Sequence, residues 1–254
     1  MTEISYRAPE GPRRPIRRPA SPGGLPSGMA LEAPRSMSPS ATARLPARSF
    51  LPQRPTLAAL ARAAQDCRAC DLYQGATQAV LGAGPQGARA FFVGEQPGDQ
   101  EDLQGRPFVG PAGKVLDEAL AEAGIRRDEI YVTNAVKHFK WHPRGKKRIH
   151  QKPNLVEVRA CRPWLEAELA LVKPEGIVCL GATAAQSLMG PQFRITRDRG
   201  QFFDSGWARW LTATLHPSAI LRMPDAAKKR QARDQLVEDL RKVAARLGVR
   251  LAVG

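Results

Sequence analysis

Four short apolar runs stand out along the chain after about residue 55. They are rich in β-branched and aromatic residues and end at Gly, Asn or His-Pro, a pattern typical of buried strands. The runs cover residues 90–93, 130–133, 176–180 and 210–215. Apolar residues spaced three or four apart predict helices at 114–123 and 154–172, and a last helix whose stripe is Leu236, Leu240, Val243 and Leu247.

Strands that alternate with helices predict an α/β protein with a mostly parallel sheet. We therefore expect a three-layer α/β/α sandwich around a central, mostly parallel four-stranded sheet. In such folds ligands bind at the carboxyl ends of the strands. The polar segments 94–99, 134–150, 181–183 and 216–218 follow the four predicted strands in turn, so one cleft is expected to gather them.

The first 50 residues differ in composition from the rest of the chain. They hold nine of the 22 prolines, and eight arginines against three acidic residues. Because such a stretch buries little apolar surface, it is predicted to be a disordered basic arm, followed by one folded domain at 51–254. A solvated extension is favoured over a specific DNA contact for this arm.

The formal charge of +15 favours a polyanionic partner, with nucleic acid ahead of an anionic membrane surface. No run approaches the ~18 apolar residues of a spanning helix. The first residues also lack the apolar core of a signal peptide. We expect an intracellular, cytoplasmic protein that is associated with the nucleoid and has no membrane partner, and we take a monomer as the default.

Segment 94–113 is rich in Gly, Pro and carboxylates, and is predicted to be neither strand nor helix. Its glycines permit close approach of the backbone to a ligand, and its carboxylates suit groups that orient a base or a water. Taken alone, the segment is equally well explained as a surface loop.

Segment 94–113, Asn134 and the His216-Pro-Ser turn together resemble, in order and spacing, the motifs of the uracil-DNA glycosylase superfamily. The resemblance runs from about residue 66 to the end and points particularly to the iron–sulfur family 4. Gly94-Glu-Gln-Pro-Gly and Lys147-Arg-Ile-His resemble the UdgX branch, whose members become covalently attached to the uracil site that they open. The resemblance implies a uracil-DNA glycosylase fold, and uracil-containing DNA, single-stranded or duplex, as the partner.

The resemblance also implies an iron–sulfur cluster. Cys67, Cys70 and Cys161 match three of the family 4 ligand positions, and His138 stands where that family has its remaining cysteine. Since imidazole replaces thiolate in Rieske centres, we assign a [4Fe–4S] cluster to these four residues. Three Cys and one His also suit structural zinc, and a histidine in so basic a stretch is also explained as a surface residue. Cys179 lies inside a predicted strand and is expected to be a core residue.

The resemblance assigns a pocket that reads a flipped base. Asn134 would present a donor and an acceptor to uracil, and Phe108 would stack on the ring. Alone, these two residues would be a strand-end cap and a core aromatic. The implied substrate-binding set is Gly94, Pro97, Gly98, Phe108, Asn134, Arg148 and Ser218, with Ser218 suited to phosphate.

The implied catalytic set is His150, Glu95, Gln96, Asp99 and His216. His216 would stabilise the negative charge that develops at O2 of uracil. Residues 137–152 contain seven Lys or Arg and no acid, so this basic loop is expected to lie on DNA phosphates and hold His150 near the sugar. A neutral imidazole would then capture C1′, with Glu95 orienting His150 and Arg148 positioning the loop.

Three functions follow from these patterns. The first is a uracil-DNA glycosylase that becomes linked to C1′ through His150. The second is a family 4 enzyme that turns over, in which Glu95 and Asp99 orient water and the basic loop supplies only affinity. The third is a non-catalytic DNA-binding iron–sulfur protein, in which His150 is one more residue of a phosphate-binding patch.

Overall fold

The strands of the computed structural model, which describes residues 45–249, form a main sheet and a separate hairpin. In chain order they are β1 (Ala90–Gly94), β2 (Ile130–Asn134), β3 (Trp141–Arg144), β4 (Lys147–His150), β5 (Gly176–Leu180), β6 (Phe202–Phe203) and β7 (Trp210–Thr214). The helices are α1 (Leu57–Ala63), α2 (Asp99–Gln104), α3 (Pro111–Glu122), α4 (Leu155–Val172), α5 (Ala182–Met189), α6 (Ile195–Asp198), α7 (Pro217–Leu221) and α8 (Ala226–Arg246). Short 3-10 helices lie at Ala47–Phe50, Ala64–Asp66, Asp71–Gln74 and Arg127–Glu129.

The main sheet has the strand order β2-β1-β5-β7-β6. Its first four strands are parallel, in a register that sets Gly94 beside Asn134. They are the four predicted strands, so the mostly parallel sheet is confirmed. The predicted number of strands is wrong, because β6 adds a fifth, antiparallel strand beside β7. Two residues are too few to show a period in the sequence; Phe202 is held there by edge-on packing against Trp210, with ring centroids 5.3 Å apart.

Helices cover both faces of the sheet, which confirms the three-layer sandwich. On one face, Leu116 and Leu120 of α3 and Leu236 and Leu240 of α8 pack in a core that includes Phe92. On the other face, α4 and α5 pack against a core of alternate residues from the same strands. Because each strand presents alternate residues to opposite faces and both faces are covered, all four parallel strands are buried throughout.

Segment 94–113 contains all of α2 and the start of α3, so the prediction that it contains no helix is wrong. One carboxylate caps both helices: Glu101 accepts hydrogen bonds from the N–H of Gly98, 2.9 Å away before α2, and of Gly110, 2.7 Å away before α3. Pro111 then occupies the first turn of α3, where its missing N–H costs nothing. Both helices therefore begin where the buried side chain of Glu101 caps them. The sequence of segment 94–113 has no apolar period from which these starts could be predicted.

Part of the basic loop is a β-hairpin, which corrects the prediction that residues 137–152 form a loop. Strands β3 and β4 pair antiparallel, with Trp141 opposite His150 and Arg144 opposite Lys147. Gly145 turns the chain with a φ of 58°, a left-handed conformation that glycine adopts readily. A paired strand holds the last residue of β4, His150, more rigidly than a loop would.

The predicted basic arm lies mostly outside the described residues. Its last four residues, Ala47–Phe50, form a 3-10 helix that contacts α4 and buries Ala47, so the folded domain starts before residue 51. Among residues 45–249, no helix is both long enough and apolar enough to cross a membrane.

Candidate active site

A cavity of about 490 Å³ opens at the carboxyl ends of the parallel strands. It gathers residues from all four polar segments that follow the predicted strands. The predicted site residues that line it are Glu95, Gln96, Gly98, Asp99, Phe108, Asn134, His150, His216 and Ser218. Three more residues of the predicted substrate-binding set do not line the cavity: Gly94, Pro97 and Arg148. The structure gives Gly94 and Arg148 other roles near it, which are described below.

Gly94 lets Asn134 and Phe108 come together at one wall of the cavity. A Cβ atom on Gly94 would collide with Asn134 Oδ1 and lie 2.7 Å from Phe108 Cζ. Phe108 has a φ of 56°, which is uncommon for a residue with a bulky side chain and is typical of a functional constraint. Its ring lies 6.1 Å from the His216 ring, centroid to centroid. An amide, an aromatic face and an imidazole thus converge on one space.

His216 is a neutral hydrogen-bond donor in this wall. Its Nδ1 accepts a hydrogen bond from the N–H of Ser218 at 3.1 Å, and the Ser218 hydroxyl lies 2.8 Å from the same nitrogen. Since Nδ1 carries a lone pair, the proton of the neutral ring is on Nε2. Burial lowers the pKa of His216 to about 4, helped by the charge of Arg222, so the ring stays neutral at physiological pH. The backbone N–H and the hydroxyl of Ser218 thus both contact the His216 ring.

His150 and Glu95 face each other across the cavity. Nε2 of His150 lies 3.5 Å from Oε1 of Glu95, farther than a normal hydrogen bond. The His150 side chain is 39% exposed, and burial of the rest lowers its pKa below the ordinary value despite the raising effect of Glu95. Neutral His150 therefore has a nitrogen that no strong hydrogen bond occupies. The other carboxylate oxygen of Glu95 accepts a hydrogen bond from the Thr183 hydroxyl.

Gln96 clamps the two ends of the hairpin. Its amide nitrogen donates to the carbonyl oxygens of Lys140 (3.0 Å) and Gln151 (3.1 Å), and its amide oxygen accepts from the N–H of Lys140 at 3.2 Å. These residues flank β3 and β4 on the outside. Gln96 thus positions the hairpin that carries His150, which is a positioning role and differs from direct action on the substrate.

Arg148 anchors the hairpin to α2. Its guanidinium donates to Oδ1 of Asp99 and Oδ2 of Asp102, both at 2.6 Å, and stacks near the Phe139 ring at 5.4 Å. Asp102 is fully buried and also accepts from the N–H of Thr77. The charge of Arg148 is thus compensated inside the protein by Asp99 and Asp102, and Oδ1 of Asp99 accepts a hydrogen bond from its guanidinium.

A buried ion pair that the sequence does not reveal lies behind Asn134. The Lys137 ammonium donates to the Asn134 carbonyl (2.6 Å), to the Thr133 hydroxyl (2.7 Å) and to the Glu168 carboxylate. Glu168 also accepts from the hydroxyl of Tyr131 at 3.0 Å, and its charge raises the pKa of that phenol further than burial alone. Lys137 is one of the seven cations in residues 137–152 that were expected to lie on DNA phosphates, and its burial corrects that prediction for this residue.

Three of the predicted cluster ligands lie near one another. Cys67 and Cys161 are buried and Cys70 is half-buried in a core between α1 and α4. Cys67 Sγ accepts from the indole N–H of Trp164 at 3.3 Å. Burial raises the pKa of Cys161 to about 12, and the neighbouring Cys70 and Cys67 add to the rise. Cys179 is fully buried within β5, as predicted for a core residue.

His138 is buried, which corrects the alternative of a surface imidazole. Burial lowers its pKa to about 4, and the charge of Arg68 contributes, so the ring is neutral and able to bind a metal. Cys161 Sγ accepts a hydrogen bond from the backbone N–H of Lys137, the residue before His138, at 3.2 Å. Across residues 45–249, no three or more His, Cys, Asp or Glu side chains form a group that could hold a metal ion.

A superfamily model and several characterised proteins match this chain. The model described as the uracil DNA glycosylase superfamily matches residues 81–241. A type-4 uracil-DNA glycosylase of Archaeoglobus fulgidus is 37% identical over 198 residues, which cover 74% of this chain and 92% of that protein. A type-4 enzyme of Thermotoga maritima is 38% identical over 177 residues, or 69% and 86% of the two chains. A type-5 uracil-DNA glycosylase of Thermus thermophilus is 34% identical over 125 residues, or 43% and 53%.

The chain therefore belongs to the uracil-DNA glycosylase superfamily, whose motifs converge on the cavity described above. Within that superfamily it is similar to family 4, because the two longer matches are to type-4 proteins. This confirms the family 4 resemblance found in the motifs.

Proposed function

We propose that this chain is a uracil-DNA glycosylase that captures the site it opens through His150. One observation carries the proposal. Nε2 of His150 lies 3.5 Å from the Glu95 carboxylate, in the same cavity as Asn134, Phe108 and His216. The base-reading groups and a neutral nucleophile therefore face the same substrate position.

The DNA would approach along the basic hairpin. Arg144, Lys146 and Lys147 are exposed at its tip, and the chain carries a formal charge of +15. Phosphate contacts of this kind position the strand without reading its sequence. The target nucleotide leaves the stack and enters the cavity, where the Asn134 amide pairs with the ring edge and Phe108 stacks on it.

Bond cleavage develops negative charge on uracil and positive charge on the sugar. The electron pair of the C1′–N1 bond goes to uracil, and the Nε2–H of neutral His216 donates to O2, where such a donor contributes about 2.7–4 kcal/mol. Glu95 stabilises the opposite charge at C1′. The uracil anion takes a proton from solvent as it leaves.

Capture then forms a bond between Nε2 of His150 and C1′. The lone pair of the neutral ring supplies the electrons, and the resulting cation faces the Glu95 carboxylate until it loses its Nδ1 proton to solvent. The hairpin anchors Gln96 and Arg148 hold the imidazole in place for this step. Since an N-glycosidic bond to imidazole is not readily hydrolysed, each protein molecule acts once.

The family 4 resemblance assigns a [4Fe–4S] cluster to Cys67, Cys70, Cys161 and His138, although among residues 45–249 these side chains do not meet as a group that could hold a single metal ion. Cys67 and Cys161 accept N–H···S hydrogen bonds, Cys70 packs in the same core, and the imidazole of His138 is neutral. Such a cluster would cross-link the segment after α1, the end of β2 and helix α4. Iron and sulfide analysis with the visible spectrum tests this proposal. Zinc in place of iron would contradict it, as would full colour in His138→Ala.

Incubation with uracil-containing single-stranded DNA, followed by denaturing electrophoresis, tests the function. A protein–DNA band that survives heat and detergent is the expected result. An alkali-labile abasic product without such a band would favour the alternative of a family 4 enzyme that turns over. Intact DNA in both assays would contradict any glycosylase activity.

A further inference from the structure

The Glu95 carboxylate is held on two sides. Oε2 accepts a hydrogen bond from the Thr183 hydroxyl, and Oε1 lies 3.5 Å from Nε2 of His150. Thr183 is 8% exposed and lines the same cavity. Because the hydroxyl holds one oxygen, it fixes the rotation of the carboxylate and keeps the other oxygen directed toward His150.

The position of Thr183 in its helix makes this hydroxyl available. A threonine inside a helix often donates to the carbonyl three or four residues earlier. Thr183 is the second residue of α5, so residues 180 and 179, three and four positions earlier, belong to β5. The β-branched side chain also has few rotamers, which limits the directions in which the hydroxyl can point.

We propose that Thr183 is a positioning residue that turns Glu95 toward His150 and so favours capture of C1′ by the imidazole over attack by water. The inference rests on the proposed capture through His150. A carboxylate rotates broadly about its last torsion unless a partner holds it. Without the hydroxyl, Glu95 is free to turn from His150 and accept a hydrogen bond from water.

The two competing reactions differ only in the nucleophile. In both, the C1′–N1 bond breaks and uracil takes the electron pair. In capture, the His150 lone pair forms the new bond and the protein stays attached. In hydrolysis, a water oxygen forms it, the water proton passes by way of Glu95 to solvent, and a free abasic site results.

The test compares Thr183→Val, which removes the hydroxyl at similar volume, with Thr183→Ser, which keeps it. Excess protein is mixed with end-labelled uracil-containing single-stranded DNA, and adduct and alkali-cleaved abasic product are quantified on one gel. Thr183→Val is expected to lower the ratio of adduct to abasic product by about ten-fold, the effect of one hydrogen bond to a charged group. Thr183→Ser is expected to restore the ratio.

Thr212→Val is the matched control. It removes a buried threonine hydroxyl from β7, where it donates to the Gln201 carbonyl outside the cavity lining, and should leave the ratio unchanged. A purely structural role of Thr183 would lower both products together, so the ratio would not move. If Thr183→Val does not fold, Thr183→Ala serves for the same comparison with serine.

The outcomes separate this inference from the proposed function. Adduct from the wild-type protein with an unchanged ratio in Thr183→Val would overturn the inference and leave capture standing. The absence of adduct from the wild-type protein would overturn capture and the inference together. A ratio of adduct to abasic product that is lower in Thr183→Val and restored in Thr183→Ser supports both the inference and the proposed function.

Discussion

Replacing Arg148 with alanine tests whether this cation anchors the hairpin to α2 or neutralises a DNA phosphate. The guanidinium donates to Asp99 and Asp102 at 2.6 Å each, and the Asp102 side chain is fully buried. Removing it leaves a buried carboxylate without its cation, which costs about 2–4 kcal/mol of the free energy of unfolding. Because two carboxylates already compensate Arg148, its loss should not change the number of DNA phosphates that the protein neutralises.

Arg144→Ala is the matched control, since Arg144 is exposed at the tip of the same hairpin. Affinity for a single-stranded DNA without uracil is measured by fluorescence anisotropy at several salt concentrations, and stability by urea unfolding. Arg144→Ala is expected to reduce the slope of log K against log salt by about 0.7, with little change in stability. Arg148→Ala is expected to lower stability and keep the slope. A reduced slope with unchanged stability in Arg148→Ala would refute the anchoring role.

Three further predictions concern stability and pH. Lys137→Met leaves the buried Glu168 carboxylate without its cation and is therefore expected to lower the free energy of unfolding by about 3–5 kcal/mol. An unchanged midpoint of urea unfolding would contradict a stabilising ion pair. The pKa of His216 falls from 6.5 to about 4 in the folded protein, so the unfolded chain binds the extra proton between these values. The free energy of unfolding should therefore fall by roughly 3 kcal/mol more in the wild-type protein than in His216→Gln as the pH is lowered from 6.5 to 4, and equal pH profiles would be inconsistent with a neutral His216. Gly181→Ala places a Cβ 2.9 Å from His216 Cβ at a φ of 88°, and should slow uracil release in a single-turnover assay; a wild-type rate would show that His216 need not stay in place.

The central architecture was predictable because its signals are local. The four parallel strands are buried on both faces and consist mostly of apolar residues, and the stripes of α4 and α8 recur at helical spacing. Residues that follow the ends of parallel strands must meet at one edge, so the gathering of Glu95, Asn134 and His216 also followed from chain order.

The rest depends on contacts between distant residues. Helix α2 starts at a cap that Glu101 shares with α3, and the hairpin is held by Gln96 and Arg148 rather than by an apolar pattern. Lys137 looks like its basic neighbours in the sequence, yet it is paired with a glutamate 31 residues away. Thr183 lies in a segment that was expected at the cleft, but its partner Glu95 is 88 residues distant.

Mapping the DNA attachment site tests the central claim most directly. After reaction with uracil-containing DNA and nuclease trimming, trypsin should release residues 149–159, a peptide whose one histidine is His150. Capture predicts that mass spectrometry finds the sugar on this histidine, that His150→Ala forms no adduct, and that His142→Ala, which alters an exposed histidine of the same hairpin, still does. Attachment at another residue, or an adduct of equal yield in His150→Ala, would contradict it.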